Sequence, residues 1–342
     1  MKGCVGDQIK VVIPAAGVGK RLYPHTLTKP KSMVSVAGKP IIGHILDRLI
    51  DVQAEELVIV VGYMKDKTIS YIDANYSSCF GKISYVTQDK PLGLGHSIYV
   101  TKDIIGDSPI MIALGDMIFK AGYRGFLEFH EKNGECSGSI GVKIVDMPQY
   151  YGVVYLDDAG TIVKLEEKPQ LSTSDLGIAG VYIIDDTSLL FESLEKLISN
   201  DTKKEGEYQL TDALHIMVEA GAMLKTFHVH DWYDCGRADT LLEVNRLLLA
   251  EIPREIIRST NSIIIQPVAV GCGVEIVNSV IGPDVSIADD TVVKNSIIAD
   301  SIVGSCAKII NMNLQTSILG DAVNLAGKPN TLNIGDSSTI EF

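Results

Sequence analysis

Between residue 8 and about residue 250, short apolar runs of strand character alternate with amphipathic stretches of helical period. The runs are KVVI at 10–13, ELVIVV at 56–61, ISYV at 83–86 and PIMIAL at 109–114. Between them, IIGHILDRLIDV at 41–52 places Ile42, Ile45, Leu46, Leu49 and Ile50 on one face at 3.6-residue spacing, which predicts a helix. RADTLLEVNRLLLAE at 237–251 repeats that pattern and Pro253 closes it. Strand and helix periods in alternation predict an α/β domain built on a mainly parallel sheet.

Beyond about residue 260 the helical period disappears. Small or β-branched apolar residues recur at Val270, Ile276, Ile281, Ile287, Val293, Ile298, Val303 and Ile309, in steps of five or six. That repeat, with small polar residues between, predicts a parallel β-helix in which each coil buries its apolar positions against the next. A sandwich of short strands is the competing reading. The domains are accordingly placed at 1–258 and 259–342.

Composition narrows the class. Of 342 residues, 46% are hydrophobic, 21% charged and 6% aromatic, the balance of a soluble globular chain of about two domains. Thirty Lys and Arg against 43 Asp and Glu leave a formal charge of −13, which repels polyanions and argues against nucleic-acid binding. Mean hydropathy is +0.20, yet no apolar run reaches the roughly 18–20 residues of a membrane span. KVVIPAA at 10–16 leads into charged, Pro-bearing sequence and does not read as a signal peptide, so the expected compartment is the cytoplasm. Six cysteines without a C-x-x-C pair are expected to be mostly buried, reduced thiols.

The densest chemical signal is AAGVGKRLYPHTLTKPK at 15–31, directly after the first strand. In open α/β sheets ligands bind beyond the carboxyl ends of the strands, where Gly17 and Gly19 would let backbone N–H groups approach a phosphate. The dinucleotide fingerprint fails at Leu22, and a Walker A loop fails because Arg21 follows Lys20. Residues 8–46 hold no Asp or Glu but carry Lys10, Lys20, Arg21, Lys29, Lys31 and Lys39, a local positive field in an acidic protein. A solvated basic loop is the bland alternative.

Asp116 ends the apolar run PIMIALGD, and Asp234 follows the strand-like KTFHVH just ahead of a helix. Two carboxylates at strand ends suit Mg²⁺, which takes one or two carboxylates and completes its shell with phosphate and water. Each alone would read as a cap or turn residue. His228 and His230 could, with Asp231 or Asp234, imitate a transition-metal site, while His96 reads as a helix-start residue beside Gly93 and Gly95. Glu167 and Lys168 follow the run TIVKL, with Tyr151 and Gly152 upstream. A Lys beside a Glu can hold a phosphate and sugar hydroxyls together, or be an ordinary surface pair.

In order along the chain, GVGKRLYPHTLTKPK, QDKPLGLGH, LGD, YGVV, EEKP, GEYQLTD and WYDCG resemble the motifs of the sugar-1-phosphate nucleotidylyltransferases, the family of UDP-glucose pyrophosphorylases and glucose-1-phosphate thymidylyltransferases. The resemblance covers residues 10 to 250. It implies a Rossmann-like domain followed by a left-handed parallel β-helix, and a Mg²⁺-dependent transfer in which glucose 1-phosphate attacks the α-phosphate of UTP or dTTP and pyrophosphate leaves. By the same resemblance Arg21 and Lys31 are the catalytic cations and Asp116 and Asp234 the metal ligands. Ala15, Ala16, Gly17, Gly19, Gln88, Gly93 and Leu94 hold the nucleotide, and Tyr151, Gly152, Glu167 and Lys168 surround the sugar phosphate. Lys20 departs from the family, which has a small hydroxyl residue there. Another hexose 1-phosphate or a purine triphosphate is the alternative substrate, and a non-catalytic sugar-nucleotide regulator or scaffold the alternative function. An acyltransferase tail is disfavoured because no His occurs on its repeats. The tail is expected to support a homo-oligomer.

Overall fold

The computed structural model describes residues 9–328, except 133, 135 and 255, together with 337 and 339. Cys4 and the last turns of the expected β-helix lie outside the described residues. The chain separates into two compact units, one of residues 1–34 and 39–241 and one of 35–38 and 242–342.

The first unit is organised by a nine-stranded sheet. Lys10–Pro14 pairs in parallel with Glu56–Val61 on one side and Ile110–Ala113 on the other, and Ile83–Thr87 joins beyond Glu56–Val61. ELVIVV is buried at every position, as a strand covered on both faces must be. From Lys10–Pro14 the chain runs outward through Glu56–Val61 to Ile83–Thr87, then returns on the opposite side to Ile110–Ala113. The strand order therefore reverses between Lys10–Pro14 and Ile110–Ala113, the place where open α/β sheets bind ligands.

Past Ile110–Ala113 the sheet turns antiparallel. Leu176–Ile184 runs against Ile110–Ala113 and against Gly138–Ile144, while Gly152–Leu156 and Ile162–Glu167 form an antiparallel pair at the edge. Leu224–His228 adds in parallel to Gly138–Ile144. The Rossmann-like sheet is thus parallel around Lys10–Pro14 and mixed beyond Ile110–Ala113. An apolar run specifies a buried strand but carries no direction, so periodicity could not separate the two halves. The helix Ile41–Leu49 buries Ile42, Ile45, Leu46 and Leu49 as expected. Ile50 is exposed instead, because the chain tightens into a 3₁₀ turn over Ile50–Val52 that turns Val52 inward.

The second unit carries three four-stranded parallel sheets. Ile263–Ile264, Val280–Ile281, Ile297–Ala299 and Asn313–Gln315 make the first, Val268–Val270, Val285–Ile287, Ser301–Val303 and Ile318–Leu319 the second, and Glu275–Val277, Val292–Lys294, Lys308–Ile310 and Asn324–Ala326 the third. They are the three faces of a left-handed parallel β-helix, which removes the sandwich reading. Of the eight repeating positions, all but the half-buried Val270 are buried. The coils turn through left-handed backbone at Asn261, Asn278, Asn295 and Asn311, a conformation that Asn tolerates. Their side-chain amides bond one another up the stack at 2.8, 3.2 and 3.1 Å. At the helix Ala238–Glu251 the buried Asn245 accepts from the Ala37 N–H and the Ser286 hydroxyl and donates to the Asp284 carbonyl.

The cysteines depart from expectation. Cys79, Cys272 and Cys306 are exposed, Cys136 is half-buried, and among the described residues Cys235 alone is fully buried. Cys306 sits in left-handed backbone at a coil corner, which directs it outward instead of into the stack.

Candidate functional site

At the end of Lys10–Pro14 the Ala15 N–H is still held by the Val60 carbonyl, and the chain then leaves the sheet. Nothing lies within 4 Å of the place where a Gly17 Cβ would stand, so the backbone there is open to a ligand. Gly19 serves differently. Its φ is +72°, a Cβ would stand 2.8 Å from the Lys31 Cβ, and its carbonyl accepts from the Thr26 hydroxyl at 2.8 Å. A glycine there lets the basic loop fold back onto Lys31.

Residues 114–116 cross over the same strand end. A Cβ on Gly115 would stand 2.6 Å from the Pro14 carbonyl oxygen, so only glycine allows the crossing. It delivers Asp116 to the switch point, and the short strand that follows, Met117–Phe119, pairs with Trp232–Asp234 in the register Met117 to Asp234. The Cys235 N–H closes the ribbon on the Asp116 carbonyl at 3.0 Å. Two carboxylates remote in sequence are brought together in this way. Asp234 therefore ends a separate strand, not the KTFHVH run, whose strand stops at His228.

Lys31 pairs with Asp116 and lies near Asp234. Its Nζ donates to Asp116 Oδ2, and a Cβ on Gly236 would stand 2.6 Å from Asp234 Oδ1 and 3.2 Å from Lys31 Nζ. Burial works to lower the Lys31 pKa, but Asp116 and then Asp234 outweigh it and raise it overall, so Lys31 stays charged. Burial and the neighbouring Asp116 charge push the Asp234 carboxyl up, opposed by Lys31, the Gly236 N–H and Arg21.

A cavity of about 320 Å³ opens at the switch point and gathers Ala15, Ala16, Gly17, Gln88, Gly93 and Leu94 with Lys31 and Asp116. Gly19 lines neither this cavity nor the larger one. Gln88 is buried and donates through Nε2 to the Gly93 carbonyl at 3.1 Å, with His96 Nδ1 at 3.0 Å. Gly93, at φ +99°, leaves no room for a Cβ against Glu207 and the Tyr208 carbonyl. The loop is thereby set against the 207–209 segment.

A second, larger cavity of about 1540 Å³ is lined by Arg21, Tyr151, Lys168 and Asp234. Gly152 and Glu167 stand opposite each other in the edge pair, behind the lining. The Thr211 hydroxyl donates to Glu167 Oε2 at 2.7 Å, and burial holds the Glu167 carboxyl above its ordinary range. Lys168 pairs with Glu205. Sequence reasoning missed Arg237 and Glu205 on this wall and Thr211 behind it. Glu205 and Thr211 stand at or within the GEYQLTD motif and Arg237 directly follows YDCG, so those motifs held the signal.

Among the described residues no three His, Cys, Asp or Glu side chains converge as a metal cluster, and His228 and His230 are exposed. The hard-oxygen pair of Asp116 and Asp234, with the Lys31 ammonium already on Asp116, is chemically suited to a divalent cation that takes its remaining ligands from substrate. Among the described residues no helix is long and apolar enough to cross a membrane.

The family model described as nucleotidyl transferase matches residues 10–251. A glucose-1-phosphate thymidylyltransferase of Streptomyces griseus is 30% identical over 98% of this chain and 99% of its own. The UTP–glucose-1-phosphate uridylyltransferase AglF of Haloferax volcanii is 34% identical over 71% of this chain and 98% of its own. Among solved structures, a UDP-glucose pyrophosphorylase complexed with UDP-glucose superposes with a TM-score of 0.61 at 27% identity, covering 72% of this chain and 100% of that one.

Proposed function

The chain belongs to the nucleotidyl transferase family, and we propose that it joins glucose 1-phosphate to UTP or dTTP, forming UDP- or dTDP-glucose and releasing pyrophosphate. The observation that carries this reading is the Lys31–Asp116–Asp234 cluster at the strand-order reversal. Lys31 and Asp116 face one cavity and Asp234 faces the other, as a transfer between two anionic substrates requires.

The nucleophile, a sugar-phosphate oxygen, is already an anion, so no general base is needed. Catalysis reduces to alignment and to neutralising charge. The open backbone at Gly17 offers N–H groups to the triphosphate. Gln88, holding the Gly93 carbonyl in place, presents a fixed polar edge to the base. Tyr151, Lys168 and Arg237 face the sugar phosphate, with Glu167 behind them to accept sugar hydroxyls. Lys31, charged across the physiological range, moves from Asp116 onto the crowded α-phosphate, and Arg21 holds the departing pyrophosphate. Mg²⁺ would be held by Asp116 and Asp234 and, when bound, supplies positive charge to the phosphate oxygens.

Pyrophosphate release measured over a panel of nucleoside triphosphates and hexose 1-phosphates tests the proposal. Turnover is expected with a pyrimidine triphosphate and glucose 1-phosphate. Tight sugar-nucleotide binding without release from any pair would make the protein a binding module instead.

A further inference from the structure

Outside the cavities, the helix Arg124–Lys132 packs against the strands Gly138–Ile144 and Leu224–His228, and Gly138–Ile144 pairs in turn with Leu176–Ile184 at the registers Ser139 to Ile183 and Gly138 to Ile184. His130 is the polar residue this helix buries, at 3% exposure. Both ring nitrogens are engaged. Nε2 lies 3.1 Å from Asp185 Oδ2, and Nδ1 lies 2.9 Å from the Ser139 hydroxyl. Half-buried Cys136, just ahead of the strand, places Sγ 4.0 Å from His130 Nδ1 and 3.9 Å from Ser139 Oγ. Asp185 Oδ1 is buried with no hydrogen-bond partner among the described residues, so the charge of Asp185 is directed to the imidazole.

This is a carboxylate, imidazole and thiol in line, the order in which a carboxylate holds an imidazolium that in turn stabilises a thiolate. None of the four residues lines the cavities of the proposed transfer, so the site is not needed for that chemistry. We propose that Cys136 is a built reactive thiol, a site of oxidation to the sulfenic acid by peroxides, with His130 as proton carrier and Asp185 as its orienting charge.

With the proton already on His130, the Cys136 thiolate attacks one peroxide oxygen. An S–O bond forms as the O–O bond breaks, sulfur is oxidised to the sulfenic acid and the peroxide is reduced. The departing hydroxide takes the proton from His130 and leaves as water. Ser139 stands within reach of both Sγ and Nδ1. Electrostatics point the same way. Burial alone would lower the His130 pKa, but Asp185 and Cys136 push it up to about 9. For Cys136 burial opposes ionisation, yet His130 and Ser139 bring the thiol below its ordinary value. The titratable groups facing the thiol are thus His130 and, through it, Asp185.

Sulfenic-acid trapping on the intact chain after brief exposure to dilute hydrogen peroxide, mapped residue by residue by mass spectrometry, tests this. Exposed Cys79, Cys272 and Cys306 serve as internal controls. Cys136 is expected to be trapped first, and its alkylation by iodoacetamide at pH 6.5 to exceed that of the controls although it is the less exposed, since a lowered thiol pKa enlarges the reactive thiolate fraction. Asp185→Asn and His130→Gln should each raise the pH midpoint of Cys136 alkylation and slow trapping there, leaving the controls unchanged. Cys136→Ser should abolish the adduct. If His130→Gln fails to fold, Asp185→Asn alone decides. A wild-type Cys136 no faster than the exposed cysteines, or a rate and midpoint unmoved by the folded variants, overturns the proposal.

Discussion

Replacing Lys31 by Met should have two effects of opposite sign. The Lys31 ammonium donates to Asp116 Oδ2 and feels the charge of Asp234, so it occupies one of the two carboxylates that would bind a divalent cation. A charge-assisted hydrogen bond contributes about 1.5–3 kcal/mol. The lysine and Asp116 side chains are 18% and 30% exposed, which keeps the bond within that range and not above it. Removing the ammonium frees Asp116, so the apparent Mg²⁺ affinity of the substrate-free protein should rise about 10- to 100-fold. The charge over the α-phosphate is lost as well, and turnover should fall on the order of 10² to 10³-fold. Isothermal titration with Mg²⁺ and pyrophosphate release at saturating Mg²⁺ read the two effects separately. Metal affinity that stayed put would refute the competition inferred from the ion pair, and turnover at the wild-type level would remove Lys31 from the reaction.

Asp234→Asn should cut turnover about 10²-fold or more while stabilising the fold at neutral pH. Asp234 has a raised pKa, so its favourable contribution is present below the ordinary carboxylate pKa and is lost as pH rises through the folded value. Thermal melts should therefore show the variant above wild type at pH 7 and equal to it near pH 3, and a lower midpoint at pH 7 would contradict the burial argument. Arg21→Ala should slow pyrophosphate release by roughly 10² to 10³-fold with an unchanged melting temperature, because Arg21 is exposed; full activity would return it to the surface. Gly115→Val would drive a Cβ to 2.6 Å from the Pro14 carbonyl and should cost about 1–3 kcal/mol, read by urea titration, and an unaltered midpoint would show that the crossing relaxes freely. Light scattering on the intact chain should give a mass above a single 37.0 kDa subunit, whereas a monomer would leave the tail without the proposed oligomer role.

The fold was legible where a residue's period equals its burial. The tail shows this most plainly: a step of five or six marks Ile276, Ile281, Ile287, Val293, Ile298, Val303 and Ile309, and all are buried because each coil repeats the same three faces. In the first unit, the parallel half was legible for the same reason that its antiparallel half was not. KVVI and ELVIVV are continuously buried, and so is most of LGIAGVYII, yet only long-range pairing decides that the last runs antiparallel. Ile50 failed because helical spacing was carried one residue past the end of the helix.

The site divides along a related line. Residues that act through the backbone or from strand ends were readable, because a glycine-bearing loop after a strand and an aspartate ending an apolar run have few other reasons to be there. Gly17 and Asp116 are of this kind. Gly19 looked the same in sequence but answers to packing, since its left-handed φ and its contact with Lys31 leave it outside the cavity. The partners of the readable residues were hidden for a physical reason: Asp234 reaches Asp116 only through a three-residue ribbon, and Thr211 reaches Glu167 only because a helix packs on the edge strand. Cys136 is the extreme case. Its neighbours His130 and Ser139 are close in sequence, but the carboxylate that polarises them arrives from Asp185 at the end of another strand, so the thiol's reactivity is a property of sheet pairing and no local motif encodes it.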